Sequence, residues 1–418
     1  MNLKISGVYY GWWIVAAAFL TGLYMAGVVF YGFTTVFEPI TEDMGWSYAQ
    51  VSLASSLRGI EAGLVAPVIG ILVDRWGPRR LIFAGALFTF TGLILLSRTN
   101  SLTMFYGSFA LIALGMSCST ATVLMTAVAN WFRKNVGLAT GIVASGFGCG
   151  GLLIPVIVKL IDLYEWRDAV TILAIGTLFT VLPLSFVFRH KPEQYGYLPD
   201  GQKEDGITFD TGPGMSPAAG KDLKMKQVLK SSAFWLITLA FTYFSLLVGA
   251  VITHVMPYLS SIGIARSMAG LVAAAIPITS IAGRLGLGWI GDRHDKKLIA
   301  SAAFGVVGLG AFCFGYADIA GTWMLVPFLI LFGVSYGGCI VLRASLVREY
   351  FGTTSFGTIF GLILGINMVG SIIGPPLAGW VYDSWGSYQN IWFIFAGLAG
   401  PALVALLAMR PVNKDLVH

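Results

Sequence analysis

A succession of apolar runs, each long enough to cross a bilayer, constrains this chain more than any single motif does. A spanning helix needs about 20 predominantly apolar residues to cross a hydrocarbon core about 30 Å thick. By that criterion twelve spans are predicted, at approximately 11–37, 47–73, 80–98, 102–128, 136–161, 168–188, 232–259, 267–291, 297–317, 322–348, 357–381 and 388–410. The predicted class is therefore an all-α membrane protein with twelve transmembrane helices. Composition agrees, since 56% of residues are hydrophobic and 11% are charged, against roughly 25% charged in soluble domains. The first run is too long for the core of a signal peptide and has no obvious cleavage site, so it is expected to be a retained helix. All four cysteines (Cys118, Cys149, Cys313, Cys339) fall inside predicted spans and read as small packing residues. No metal and no cofactor is expected.

The formal charge of +6 could point to nucleic acid, but the positive residues follow one set of loops. With the N-terminus inside, only Arg98, Lys159, Arg167 and Arg266 fall in outer loops, while Arg75, Arg79, Arg80, Arg133, Lys134, Arg293, Lys296, Lys297 and Arg348 lie inside. The positive-inside rule then places both termini in the cytoplasm. Residues 189–230 are the one long hydrophilic segment and read as a cytoplasmic linker, with a short amphipathic helix at 222–229. It separates an N-terminal six-helix bundle (1–188) from a C-terminal one (231–418).

These halves repeat each other. Gly70-Ile-Leu-Val-Asp74-Arg75 recurs as Gly288-Trp-Ile-Gly-Asp292-Arg293. Gly137-Leu-Ala-Thr-Gly141 with Pro155 recurs, at nearly the same offset, as Gly357-Thr-Ile-Phe-Gly361 with Pro375. Two six-helix halves in the same orientation are the parallel-repeat plan of a transporter.

Charged residues within spans then stand out, because each is costly at bilayer depth. Arg284 lies about 12 Å of helix above Asp292, with no acid within a turn of it. The simplest group to complete its charge is a substrate anion, since a guanidinium offers a planar fork that matches a carboxylate bidentately; the alternative is a structural arginine bonded to carbonyls. Arg58 and Glu61, three apart on the second span, share a face and can pair. They read either as a protonatable switch or as a fixed ion pair. His254, just before Pro257 in the seventh span, can donate to a carboxylate or relay a proton, or it can be hydrogen-bonded in packing. Arg343, about 9 Å of helix from Glu349, is expected to line the cytoplasmic vestibule or cap inner contacts, with substrate contact a lesser alternative. The run Gly146-Phe-Gly-Cys-Gly-Gly151 reads as close helix packing, expected against the eighth span.

Gly70…Asp74-Arg75-Trp76-Gly77-Pro78-Arg79-Arg80 matches the loop signature of the major facilitator superfamily, which the chain resembles over essentially its whole length. Within that superfamily it is similar to the monocarboxylate porters and bacterial oxalate/formate antiporters. The resemblance rests on Tyr10-Gly11-Trp12-Trp13 and on Trp131-Phe132-Arg133-Lys134…Leu138-Ala139-Thr140-Gly141…Ala144-Ser145-Gly146. It implies the major facilitator fold and puts Arg284 in the place of the family's substrate arginine. Tyr336, Asn367, Ser119 and Thr122 are then expected to face a central cavity, though each can equally be a packing residue. Asp74, Arg75, Arg79, Asp292 and Arg293 are expected to close the inner gate. Two positions depart from the family: the acid that animal members place one turn before the arginine is Ser280, and the first span has no lysine.

The function expected is secondary active transport of small monocarboxylates such as lactate or pyruvate, by proton-coupled symport with alternating access. Arg284, His254, Tyr336, Asn367, Ser119 and Thr122 are expected to bind substrate, and Glu61, Arg58 and His254 to couple the proton. An oxalate/formate-type exchanger is the rival reading, and a membrane receptor or sensor is a rival of another class. An enzyme is not expected, because no metalloprotease helix, paired intramembrane acids or Ser/His dyad is visible. The expected partners are a monocarboxylate, a proton and membrane lipid; the expected state is a monomer in the cell inner membrane.

Overall fold

The computed structural model describes residues 9–60, 65–119, 121–132, 135–195, 197, 225–352 and 356–409. Every regular element among them is helical. This follows from the solvent: in hydrocarbon an unpaired backbone group has no water to turn to, and a helix pairs its own.

In chain order the helices are α1 (Tyr10–Met25), α2 (Phe33–Met44), α3 (Tyr48–Ile60), α4 (Ala66–Trp76), α5 (Pro78–Ser97), α6 (Leu102–Ser119), α7 (Ala121–Ala129), α8 (Val136–Cys149), α9 (Leu153–Ser185), α10 (Met225–Lys230), α11 (Ser232–Ser261), α12 (Arg266–Arg293), α13 (Lys296–Ala320), α14 (Leu325–Phe351), α15 (Phe356–Trp385) and α16 (Gln389–Leu407). Ten stretches of the described residues are long and apolar enough to cross a membrane. One of them, Val136–Ser185, is 50 residues long and turns at Glu165, among the described residues the one non-glycine with positive φ (62°), so it makes two crossings. Residues 61–64 lie outside the described ones, and α3 and α4 on either side are each shorter than a spanning helix. The described residues thus account for eleven of the twelve crossings expected, and the protein is a multi-pass membrane protein.

The first crossing differs from expectation. A π-helical turn at Ala26–Tyr31 joins α1 to α2, and the helix continues through Pro39 to Met44, making one stretch of 35 residues. Glu38 and Glu42 are thereby helical rather than in a loop.

The chain divides into two compact units, Met1–Phe33 with Leu64–Thr211, and Thr34–Gly63 with Gly212–His418. The repeats assign 34–63 to the first half by chain order, whereas packing assigns them to the second. In the first unit, α1 and α8 cross closely. A Cβ on Gly146 would lie 2.6 Å from the Phe19 carbonyl, and one on Gly27 would lie 2.6 Å from the Gly150 carbonyl. The glycine run thus provides the close packing expected of it, but against the first crossing instead of the eighth. Gly77 (φ 78°) ends α4 and Pro78 opens α5, so the signature loop is a tight turn that glycine permits and proline fixes.

In the second unit, α12 and α14 approach through Gly283 against the Val334 carbonyl and Gly337 against the Ser280 carbonyl; α11 and α15 do so through Gly370 and Gly374. Small residues serve here because lipid supplies no hydrophobic drive between helices, and close van der Waals contact replaces it. α3 joins this unit along α15. Ser52 and the Tyr48 backbone lie against Gly379, and Ser56 Oγ donates to the Ile372 carbonyl (2.6 Å). Its N-terminus is fully capped. Ser47 and Gln50 form a capping box, and the two N–H groups this leaves, on Tyr48 and Ala49, donate to the Asp383 carboxylate (3.0 and 2.9 Å).

Candidate functional site

Polar side chains inside the second unit gather at two levels. The first level is built on the α12–α14 seam. Gly337 lies against the Ser280 carbonyl and Gly338 against the Leu287 side chain, so residues 337–338 face the stretch of α12 with Arg284 at its middle. On the helical wheel Arg284 lies opposite Ala282 and Gly286, which with Leu285 and Trp289 form the exposed apolar face. The guanidinium-bearing side is therefore the protein side, and Arg284 is half-buried there.

Tyr336 shares this level. It is buried and stacks on Phe244 of α11 (centroids 6.4 Å, 29°). Asn367 of α15 is buried; its Oδ1 accepts from Thr242 Oγ1 (3.1 Å), while its Nδ2 has no hydrogen-bond partner. Asn367 falls at the level of Tyr336 because α15 runs back along α14. Phe360 of α15 packs on Arg343 (5.7 Å from the ring centroid). Asn367 lies seven residues beyond Phe360, and Tyr336 seven before Arg343. The level thus combines a guanidinium, an amide with open N–H donors and an aromatic wall, continued along α11 by buried Leu247 and Val251. That set suits a carboxylate carrying a short apolar tail.

The second level centres on His254, which is fully buried. Its Nε2 lies 2.9 Å from the Pro375 carbonyl, which can only accept, so Nε2 carries the hydrogen. Ser52 Oγ, 2.9 Å away, shares that hydrogen and donates its own to the Tyr48 carbonyl. In the neutral ring Nδ1 is then the acceptor, and the Tyr388 hydroxyl donates a hydrogen bond to it (2.8 Å). Both nitrogens are engaged, and the ring packs on Phe37 (5.0 Å). His254 also lies ten residues beyond Phe244 on α11, about 15 Å along the axis. A small acid held at Arg284 does not reach it, so in this conformation His254 is a packed histidine tying α3 to α11, α15 and Tyr388.

Beyond His254, Ser260 Oγ donates to Glu38 (2.8 Å) and Arg266 donates to the Thr35 carbonyl (2.6 Å), tying α2 to α11 and α12.

The remaining expected residues are dispersed. Ser119 is buried in the α5–α6 packing, its hydroxyl directed at the Ile82 carbonyl (3.5 Å) and close against Gly85. It is a helix-contact residue here, not a cavity residue. Thr122 is exposed on α7. Arg75 and Arg79 are exposed at the Gly77 turn, with Arg79 over the Phe186 ring (4.8 Å), and Arg293 stacks on Trp289 (3.8 Å). Glu61, and the side chains of Arg58, Asp74 and Asp292, lie outside the described residues. Sequence reasoning missed Ser52, Tyr388, Asp383 and Glu38. For Asp383 a signal existed, an acid closing an apolar run; the others have partners far away in sequence.

The model of the Major Facilitator Superfamily matches residues 13–264 and again 247–417. The chain belongs to the major facilitator superfamily. The two matches reproduce the internal repeat. Among relatives of this superfamily member, Monocarboxylate transporter 12 of Homo sapiens is 27% identical over 421 residues, 93% of this chain and 78% of that protein. The Oxalate:formate antiporter of Oxalobacter formigenes is 24% identical over 415 residues, 96% and 93%. In solved structures the fold recurs in the nucleoside transporter NupG, with TM-score 0.70 at 16% identity over 96% of this chain and 99% of that one. It recurs also in an inward-facing bacterial homologue of the lysosomal transporter Spinster, with TM-score 0.68 at 14% identity over 96% of each chain.

Proposed function

We propose that this superfamily member is a secondary active transporter of small monocarboxylates of the lactate and pyruvate type, moved with a proton by alternating access. The observation that carries the reading is Arg284 on the protein side of an apolar helix, level with the open amide of Asn367. One guanidinium balances one carboxylate; the asparagine adds neutral donors, and a dianion would leave a second buried charge to be met. Tyr336, Phe244, Leu247 and Val251 accommodate the alkyl tail. The relatives named as monocarboxylate transporters support the same substrate class. A lone anion crossing would work against the membrane potential at about 2.3 kcal/mol per 100 mV, a cost that one co-transported proton removes. Glu61, paired with Arg58, is the proton carrier in this reading. His254 belongs to the coupling machinery rather than to the substrate, through its link to α3. Asp74, Arg75, Arg79, Asp292 and Arg293 serve the inner gate, with the six-helix halves 1–188 and 231–418 as the moving bodies. A monomer in the inner membrane with cytoplasmic termini completes the proposal.

The antiporter among the relatives supports a second reading, anion exchange. Lactate uptake into sealed proteoliposomes separates the two. Symport predicts uptake driven by an imposed pH gradient and indifferent to potential at equal pH. Uptake that requires an internal anion, with oxalate the best competitor, overturns symport in favour of exchange.

A further inference from the structure

Arg343 is not used by the site as described. Its guanidinium lies 5.6 Å from the Phe241 ring centroid and 5.7 Å from that of Phe360, between aromatic side chains of α11 and α15. Its Nε is shielded and has no hydrogen-bond partner. Among the described residues the ion pair present is Lys296–Glu349 (3.2 Å), near the helix ends, so no described carboxylate answers the charge on Arg343. Cation–π contact recovers only part of the cost of burying an ion. It also leaves the edges of the guanidinium, where the N–H donors project, open to an in-plane acceptor.

The placement is specific. Tyr336, Cys339 and Arg343 follow one face of α14 at i, i+3 and i+7. Arg343 therefore lies below the first level, about 8 Å farther along α14 than the residues that face Arg284. That displacement is toward the end of the unit where α11 and α15 begin. That offset sets the two cations in succession along α14, so a carboxylate can pass from one to the other.

We propose that Arg343 is a second, sequential anion site, which accepts the carboxylate as it leaves Arg284 and before it is released at that end of the protein. This rests on the anion reading above and adds a step to it. Between the two levels the described side chains that meet Arg343 are the Phe241 and Phe360 rings, which offer a carboxylate no hydrogen-bond donor. A relay cation shortens the stretch in which the carboxylate has no partner, so it speeds release without tightening binding at Arg284.

The test uses the full chain in detergent and in proteoliposomes, with radiolabelled lactate, formate and oxalate as probes. For an acid that the wild type moves, Arg343→Gln is expected to keep its equilibrium affinity within about threefold while slowing counterflow at least about tenfold, a kinetic loss without a binding loss. Arg343→Lys should recover a substantial part of the rate. In a background lacking the native cysteines, Arg343→Cys should be reactivated by a cationic methanethiosulfonate reagent and not by a neutral one of similar size. Counterflow of Arg343→Gln at the wild-type rate overturns the relay. So does a slow, folded Arg343→Cys that the cationic reagent fails to revive, and so does failure of every variant at this position to fold, which makes the residue structural. A wild type that moves none of the three acids, or an Arg284→Gln variant that binds the transported acid normally, overturns the anion reading itself and the relay with it.

Discussion

Replacing Tyr388 with phenylalanine removes one hydroxyl and almost nothing else. The ring keeps its stacking on Tyr382 (4.5 Å, 20°) and Trp392 (5.9 Å, 18°). His254 Nδ1, fully buried, loses the donor 2.8 Å away. Leaving a buried acceptor unmade costs about 1–3 kcal/mol. Because the hydrogen on Nε2 is shared by Pro375 and Ser52, the loosened ring weakens the link to α3. The predicted consequence is a larger population in which α3 has opened from α11 and α15, by about 5- to 150-fold for that energy. Ser55 reports on this: it is buried, and its hydroxyl bonds only within its own helix, to the Ser52 carbonyl. In a background with Cys118, Cys149, Cys313 and Cys339 replaced, Ser55→Cys should react with a methanethiosulfonate reagent in proportion to that open population. Adding Tyr388→Phe should raise the rate by the stated factor, and in a His254→Gln background it should have little further effect, because the coupled partner is already gone. A labelling rate within about twofold of the parent would show that the hydrogen bond does not help to hold α3 in place.

Arg284→Lys keeps the charge but loses the bidentate fork, so lactate affinity measured by calorimetry should fall by about 2–5 kcal/mol. Gly337→Ala forces a Cβ into the Ser280 carbonyl and should cost about 1–3 kcal/mol, lowering the midpoint of thermal unfolding in detergent. Gly286→Ala meets nothing within 4 Å and should leave that midpoint unchanged or raise it slightly. From the i,i+3 spacing of Arg58 and Glu61, Glu61→Gln should reduce folded yield more than the double variant with Arg58→Gln, because the single change strands a cation; additive losses would show that the two are uncoupled.

Much of this was legible in the sequence, for physical reasons. Lipid forbids unpaired backbone, so the apolar runs had to be helices, and the echo of Gly70–Arg75 at Gly288–Arg293 announced two halves. Arg284 was conspicuous because an intramembrane charge without a nearby acid demands an explanation. The orientations of Ser119 and Thr122 were not legible, since a helix apolar on every side carries no periodic signal for which face packs. The length of the first crossing was hidden by Glu38, Pro39 and Glu42, which look like a loop; the Glu38 carboxylate finds its hydrogen bond in Ser260, far away in sequence. The hydrogen-bond partners of His254 are 121, 134 and 202 positions away, and no local rule spans such distances. The glycine run declared close packing but not its partner, because any helix backbone fits a smooth surface.

The seam between α3 and α15 also has a consequence for how the protein meets its solution. Along its length it is fastened by Ser52, Ser56 and the gap at Gly379, groups without net charge. Among the described side chains of the seam, the one ion is at its exposed end, the Asp383 carboxylate on the first N–H groups of α3. At physiological ionic strength the screening length is about 8 Å and applies to exposed charges, not to buried dipoles. Among these described contacts, added salt therefore loosens the one at the rim alone, and those of Ser52 and Ser56 hold with the same strength in fresh water and in brine.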